Sequence, residues 1–291
     1  MGAVGKAVLT INHLCMIEML HFQFMQNALW ASLLLAVVVG FVGTYIVARR
    51  LVFLSGGITH ASFGGIGLAW YLGFSPIAGA AVFAVLSALG FEAITHRRAM
   101  REDSAIGMLW ALGMALGVFF VFLTPGYAPN LMSYLFGNIL TISQADLGLL
   151  LSMVVVIGLL LALFYRPMLF VAFDSAYAHA QRRGAALFID YTLKVLVALS
   201  IVLSIRSVGI ILLISLLTAP AKIANLFTRR FCPMALLSGG IALCALLMGV
   251  AMSYGLNVPS GAAVVMVLVA MYGMGHVGLW LARHLGAPAR G

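Results

Sequence analysis

Charged residues are what this sequence most lacks. Only 8% of its 291 residues are charged, 64% are hydrophobic, and the mean hydropathy is +1.15. Soluble domains carry about a quarter charged residues, and a soluble chain of this length needs far more polar surface to cover its core. Disorder requires the opposite composition, with low hydrophobicity and high charge. The composition excludes a soluble globular enzyme, a disordered protein and a nucleic-acid binder, and it predicts a polytopic membrane protein.

Long apolar runs favour helices over a barrel as the spanning structure. Barrel strands are short segments of alternating hydrophobicity, whereas this chain contains unbroken runs such as LLLAVVVGFVGTYIV and LLLSMVVVIGLLLALF. In hydrocarbon such runs satisfy their own backbone hydrogen bonds as helices. The predicted fold class is all-α, a polytopic transmembrane helical bundle of eight to nine spans. The predicted spans are 27–48, 56–74, 76–94, 104–124, 145–165, 187–206, 208–228, 234–254 and 260–281.

Two of these spans are weak, so eight and nine spans both stay open. The second is rich in glycine and carries His60, and the seventh contains Pro220, which makes each a candidate for a broken or re-entrant segment. The expected organisation is an N-terminal extension with a short pre-membrane segment at 1–26, a single transmembrane domain at 27–282 and a cytoplasmic tail at 283–291. The three cysteines form no CxxC pair and are interpreted as small apolar fillers.

The distribution of basic residues predicts the topology. Thirteen of the sixteen follow odd-numbered spans, so a nine-span arrangement places all thirteen on one side. The positive-inside rule makes that side cytoplasmic and places the N-terminus outside. The net charge of +9 is therefore interpreted as a topology signal rather than a polyanion-binding patch. These residues are Arg49, Arg50, Arg97, Arg98, Arg101, Arg166, Arg182, Arg183, Lys222, Arg229, Arg230, Arg283 and Arg290.

Several catalytic motifs are absent from the sequence. It contains no GxxxxGK[ST] phosphate loop, no HExxH zinc motif and no GxSxG nucleophile motif, so the chain is not expected to be an enzyme or to hydrolyse ATP. Its seven acidic residues form no buried carboxylate cluster of the kind that proton-coupled metal carriers need. Another chain is expected to supply the energy, and a stand-alone secondary metal-ion carrier is the alternative.

His60 is the most distinctive polar residue in a predicted span. It lies four residues into the second span, among small residues in GGITHASFGGIGL that open space around the imidazole. Ionisable groups inside a membrane are costly and usually functional, and imidazole binds zinc and other first-row metals. On physical grounds a metal ligand and a hydrogen-bonded packing residue both stay open.

Other ionisable residues are weaker candidates. Glu92 and His96 lie four apart and share a helix face, which suits either a cation or an interfacial salt bridge with the arginines that follow. Asp190 stands four residues before Lys194, the favourable helical order, so this pair is interpreted as structural and close to the interface. Asp146 opens the fifth span on the outer side.

Glycines are abundant and suit close helix packing. Gly113 and Gly117 form a GxxxG pair, and Gly64 and Gly65 lie in FGGIG. Small residues let transmembrane helices approach closely, so these four are interpreted as packing positions.

Four stretches make the sequence resemble the permease subunits of bacterial ABC importers for zinc, manganese and iron. The resemblance runs from about Met16 to about 281, nearly the whole chain. It is carried by RRLVFLSGGITHASFGGIGL (49–68), LMSYLFGNILTISQADL (131–147), FDSAYAHAQRRG (173–184) and VGIILLISLLTAPAKIA (208–224), with NVPSGAAVV (257–265) behind the last.

The resemblance implies a mechanism and a set of partners. Two permease copies would form a pathway in the bacterial inner membrane, above two cytoplasmic ATP-binding subunits. An extracytoplasmic binding protein would deliver the divalent metal ion, which is cargo rather than a bound cofactor. ATP binding and hydrolysis would move a short cytoplasmic coupling helix. By resemblance this coupling loop comprises Phe173, Asp174, Ala178, Arg182, Arg183 and Gly184.

The resemblance also assigns the metal pathway, with some departures. His60 matches the histidine of the family's second-helix motif, which is thought to line the path. Glu92, His96, Asp146 and Asn257 are the secondary metal contacts expected here. Many members carry an aspartate four residues before the histidine, where this chain has Gly56, and an acid is frequent where Asn257 stands. A glycine is common where this chain has Arg182.

Overall fold

The computed structural model describes residues 22–96, 101–125, 137, 139–173 and 183–285. Within these ranges the chain forms nine long helices, one short 3₁₀ turn at Ile139–Thr141 and no strand, so the all-α prediction is confirmed. The helices are α1 (Gln23–Ala48), α2 (Val52–Leu72), α3 (Pro76–His96), α4 (Glu102–Leu123), α5 (Gln144–Phe173), α6 (Arg183–Val208), α7 (Ile210–Phe227), α8 (Phe231–Leu256) and α9 (Ser260–Leu285).

Eight of the helices in the described ranges are long and apolar enough to cross a membrane. Both spans predicted to be weak, α2 and α7, are among these eight and are continuous helices, α7 even across Pro220. The ninth helix, α3, runs over Pro76–His96.

The turn between α1 and α2 is tighter than the sequence predicts. Arg50 adopts a left-handed conformation (φ 59°), and the Leu51 amide donates to the Ile46 carbonyl oxygen at 2.8 Å. This closes α1 in the manner of a Schellman cap and lets α2 begin at once, at Val52 rather than at the predicted residue 56. His60 is therefore two helical turns inside α2, deeper than predicted.

α5 continues beyond its predicted end at residue 165. The helix bends at Phe164 (φ −124°, ψ 18°), three residues before Pro167, and then runs on to Phe173. Proline lacks an amide donor and clashes with the preceding turn, which kinks a helix without ending it when an apolar pattern follows.

α1 and α2 are the most enclosed spans, whereas α4, α5 and α9 expose most of their surface. α1 also contains a fully buried π-helical turn at Val39–Gly43. A Cβ added to Gly40 in this turn would lie 2.7 Å from the Ala235 carbonyl oxygen of α8. α1 and α2 thus form the centre of the bundle, and the outer helices face lipid or other chains.

Candidate functional site

His60 stacks on an aromatic ring of the neighbouring helix α4. The imidazole and the Trp110 ring have centroids 4.2 Å apart and planes inclined by 13°. Nδ1 of His60 is buried and has no hydrogen-bond partner among the described residues. Because Nδ1 is enclosed, an ion would have to approach Nε2, on the half-exposed side of the residue.

The hydroxyl groups near His60 are already bonded within α2. Ser55 Oγ donates to the Val52 carbonyl oxygen at 2.8 Å, and Thr59 Oγ1 donates to the Ser55 carbonyl oxygen at 2.7 Å. Ser62 Oγ donates to the Ile58 carbonyl oxygen at 2.7 Å. Such bonds to the preceding turn are usual for hydroxyls inside helices. The His60 imidazole is therefore the side-chain group of this stretch best placed to meet an ion.

Glycines hold α4 directly against the backbone of His60. A Cβ added to Gly113 would lie 3.0 Å from the His60 carbonyl oxygen and would run into Ala61 Cα. A Cβ on Gly64 would lie 2.9 Å from the Gly113 carbonyl oxygen, and Gly117 likewise lies against Phe63. On the other side of α2, a Cβ on Gly65 would lie 2.6 Å from Phe83 Cβ of α3. The position of His60 is thus fixed by backbone-to-backbone contact.

Gly56, one turn before His60, borders open space. The residue is buried, yet a Cβ built on it would meet nothing within 4 Å. Residues four apart share a helix face, so the space lies on the same side of α2 as His60. A side chain at position 56 would fit without displacing its neighbours.

Asp146 is held in a helix cap and an ion pair at the start of α5. Its Oδ2 accepts hydrogen bonds from Ser143 Oγ at 2.6 Å and from the Ser143 amide at 3.1 Å. This is the reciprocal arrangement of a capping box. Arg206 Nε at the end of α6 lies 2.9 Å from Asp146 Oδ1. Both carboxylate oxygens therefore already have partners.

Asn257 ends α8 in a left-handed conformation (φ 53°, ψ 40°) and is exposed. The Val258 amide donates to the Ser253 carbonyl oxygen at 3.2 Å, which completes the helix cap. Asparagine tolerates this left-handed backbone better than most residues. The backbone conformation therefore explains an asparagine at position 257 without any metal contact.

The remaining predicted site residues lie at the edge of what the structure describes. Glu92 and His96 belong to the last turns of α3 and Phe173 to the last turn of α5, but their side chains lie outside the described residues, as does that of Arg183. Asp174, Ala178 and Arg182 lie outside the described residues altogether. Gly184 is exposed in the first turn of α6.

A buried charge cluster joins α1, α5 and α6, and sequence reasoning missed its full extent. Asp190 Oδ2 accepts from Lys194 Nζ at 2.7 Å, and Asp190 Oδ1 accepts from Arg49 Nη2 at 3.1 Å. Arg49 Nη1 also donates to the Val171 carbonyl oxygen at 2.8 Å. The predicted Asp190–Lys194 pair forms, and both residues are buried within the bundle. No sequence pattern links Arg49 to it across 141 residues.

The described residues form no tight metal site around His60. Among the described residues no group of three or more histidine, cysteine, aspartate or glutamate side chains converges to hold an ion. A groove of about 550 Å³ between α1, α5 and α8 is almost wholly apolar, and His60 does not line it. A pathway must bind its ion weakly enough to release it, which a single imidazole can do.

Comparisons with known proteins agree with this architecture. The chain matches the ABC 3 transport family over residues 21–277. It is 40% identical over 88% of its length to an uncharacterized membrane protein of Synechocystis sp., covering 91% of that protein. It is 31% identical to the manganese transport system membrane protein MntC of Halalkalibacterium halodurans, over 88% of each chain.

The fold also matches a solved structure. A chain in the structure of PsaBC from Streptococcus pneumoniae in complex with Fab superposes with a TM-score of 0.80 and 30% identity, over 89% of this chain and 93% of that one. The resemblance to permeases of metal ABC importers is thereby confirmed, and the alternative of a stand-alone carrier is not upheld. The chain belongs to the ABC 3 transport family.

Proposed function

We propose that this chain is the membrane-spanning permease subunit of an ATP-driven importer of divalent transition-metal ions. The family match over residues 21–277 carries this proposal. Relatives named as manganese transport proteins make Mn²⁺ the first cargo to test, followed by zinc and iron. An extracytoplasmic binding protein would deliver the ion, and the chain would lie in the bacterial inner membrane.

His60 is the proposed ion contact along α2. Its Nδ1 is enclosed, which leaves Nε2 for the ion, and its ring is held flat against Trp110. Imidazole accepts several first-row ions, so His60 by itself does not determine which metal is carried. Glu92, His96, Asp146 and Asn257 remain secondary contacts in this proposal, with Asp146 the least available because of its ion pair.

A second copy of the permease would complete the pathway. Trp110 is 43% exposed in the single chain although it stacks on His60. Neighbouring large side chains on α4 are exposed as well, Met108 at 63% and Leu112 at 55%. A second α4 face laid against this one would enclose the His60–Trp110 pair between two copies.

ATP hydrolysis is proposed to occur in a partner. The sequence has no phosphate-binding loop. Residues 173–184, which connect α5 to α6, would contact the ATP-binding subunits from the cytoplasmic side. The basic residues Arg182 and Arg183 suit that side of the membrane and an acidic docking surface.

Gene deletion tests the proposed function directly. In a strain without redundant importers, loss of this chain is expected to abolish high-affinity uptake of manganese, zinc or iron, and the intact gene restores it. Uptake is measured with each isotope at low external concentration. Unchanged uptake of all three metals would show the proposal to be wrong.

His60→Ala is expected to lower metal uptake by about tenfold, equivalent to about 1.4 kcal/mol of lost stabilisation of the ion in transit. Co-purification of the ATP-binding subunits should stay normal, because α2 keeps its backbone packing. His276→Ala is the matched control, since His276 also lies in a spanning helix but on the exposed face of α9. Wild-type uptake by His60→Ala would make His60 a packing residue.

A further inference from the structure

Arg49 joins two helices that are distant from it in sequence. Its Nη1 donates to the Val171 carbonyl oxygen of α5 at 2.8 Å, and its Nη2 donates to Asp190 Oδ1 of α6 at 3.1 Å. Arg49 itself directly follows α1. One guanidinium group therefore ties the end of α1 to the end of α5 and to the first turns of α6.

Stability alone is a poor explanation for this cluster. The side chains of Arg49, Asp190 and Lys194 are only 17%, 7% and 6% exposed. Arg49 and Lys194 both bond the Asp190 carboxylate, and desolvating each ion costs several kcal/mol. Well-packed apolar residues often stabilise such positions as well or better. A bonded charge cluster does, however, fix the relative position of three helices.

The cluster lies between the proposed ATPase contact and the helix that carries His60. Val171 precedes the segment 174–182 and Asp190 follows it, so Arg49 is bonded on both sides of that segment. Arg49 is also three residues before the start of α2. Lys194 and the α2 residues Leu54, Ser55 and Ile58 line one small void, so α6 rests on the first turns of α2.

We propose that Arg49 is a positioning residue that transmits movement of the 174–182 segment to α2 and thereby to His60. This inference rests on the proposed function, in which that segment contacts the ATP-binding subunits. A guanidinium presents its donors in a fixed planar fork, so a shift of the end of α5 or the start of α6 carries the α1–α2 turn with it.

Two charge-matched variants separate this role from a purely structural one. Arg49→Met and Lys194→Met each remove one cation that bonds Asp190 and change the net charge equally. Lys194→Met keeps the Arg49 bonds to Val171 and Asp190, whereas Arg49→Met loses both. Arg50→Met is an additional control that removes a charge from the same turn at an exposed position.

The measurement uses the complete importer in proteoliposomes, with Mn²⁺ uptake and ATP hydrolysis recorded together. We expect Arg49→Met to hydrolyse ATP near the wild-type rate but to lose about tenfold in uptake per ATP, a coupling loss of ordinary size. Lys194→Met and Arg50→Met should keep the wild-type ratio. A wild-type ratio in Arg49→Met, or an equal loss in Lys194→Met, would overturn the inference.

Two further measurements test the inference if the Arg49→Met importer assembles poorly or if Mn²⁺ is not the transported ion. Arg49→Lys keeps the positive charge needed for assembly but lacks the planar guanidinium donors, so its uptake per ATP should also fall. A wild-type uptake per ATP in Arg49→Lys would overturn the inference. Hydrogen exchange of α2 amides on adding ATP and vanadate should change in wild type and Lys194→Met but not in Arg49→Met. No uptake of Mn²⁺, Zn²⁺ or Fe²⁺ by the wild type would overturn the proposed function. Normal uptake by Arg49→Met, together with the same ATP-dependent change in α2 exchange as in the wild type, would overturn only this inference.

Discussion

Asp190→Asn is expected to destabilise the permease by about 3–5 kcal/mol, the usual result of removing one partner from a buried ion pair. Asp190 is the carboxylate that both Arg49 and Lys194 bond, and all three side chains are largely buried. The amide fills the same space but removes the negative charge that both cations bond. The thermal unfolding midpoint of the purified chain in detergent, followed by size-exclusion chromatography, measures the loss.

Removing the Lys194 charge as well should restore part of the stability lost in Asp190→Asn. Asp190→Asn combined with Lys194→Met leaves one cation instead of two and should unfold at a higher temperature than Asp190→Asn alone. Asp146→Asn is the comparison variant, because Asp146 is also buried but its cation partner Arg206 is 50% exposed and can be solvated when the charge is removed, so the loss should be smaller. Equal losses in Asp190→Asn and Asp146→Asn would contradict the expectation, as would a double variant less stable than the single one.

Gly113→Ala is expected to cost about 1–3 kcal/mol through overpacking and to impair uptake at the same time. The added methyl group would run into Ala61 Cα and would lie 3.0 Å from the His60 carbonyl oxygen. Backbone atoms cannot rotate away as a flexible side chain can, so α2 and α4 must separate. That separation moves His60 relative to Trp110, and uptake assays together with unfolding midpoints would report both effects.

Gly107→Ala on the same helix is the control for this change. A Cβ on Gly107 would meet nothing within 4 Å, and the residue is exposed. Alanine exceeds glycine in helix propensity by up to about 1 kcal/mol, so this variant should be neutral or slightly stabilised. The two substitutions are chemically identical and should act in opposite directions. Stabilisation by Gly113→Ala would show that the α2–α4 contact is looser than the structure indicates.

The helices were predictable because a long apolar run in lipid satisfies its own backbone hydrogen bonds as a helix. Their exact limits were not, since local backbone conformation decides them. Arg50 enters the left-handed region and starts α2 at Val52, and the bend at Phe164 lets α5 pass Pro167. The glycines of α2 and the proline of α7 do not interrupt these spans, because such residues are tolerated within a packed bundle.

His60 was predictable as a candidate because an imidazole stands out in an apolar helix. Its partner was not, because the stacking on Trp110 depends on how α2 packs against α4 rather than on any local pattern. The Arg49–Asp190 bond was hidden for the same reason, since residues 141 positions apart share no periodicity. Arginine at the end of a span is interpreted first as a topology signal, and this arginine also has an internal partner.

The pairing within α6 also bears on how the chain enters the membrane during synthesis. On the translocon scale a lone charged residue at the centre of an inserting helix costs about 2.5–3.5 kcal/mol. Asp190 and Lys194 are one helical turn apart and bonded at 2.7 Å, so α6 presents a neutral pair to the lipid before other helices pack on it. This pairing should lower the cost of inserting α6 compared with two separated charges.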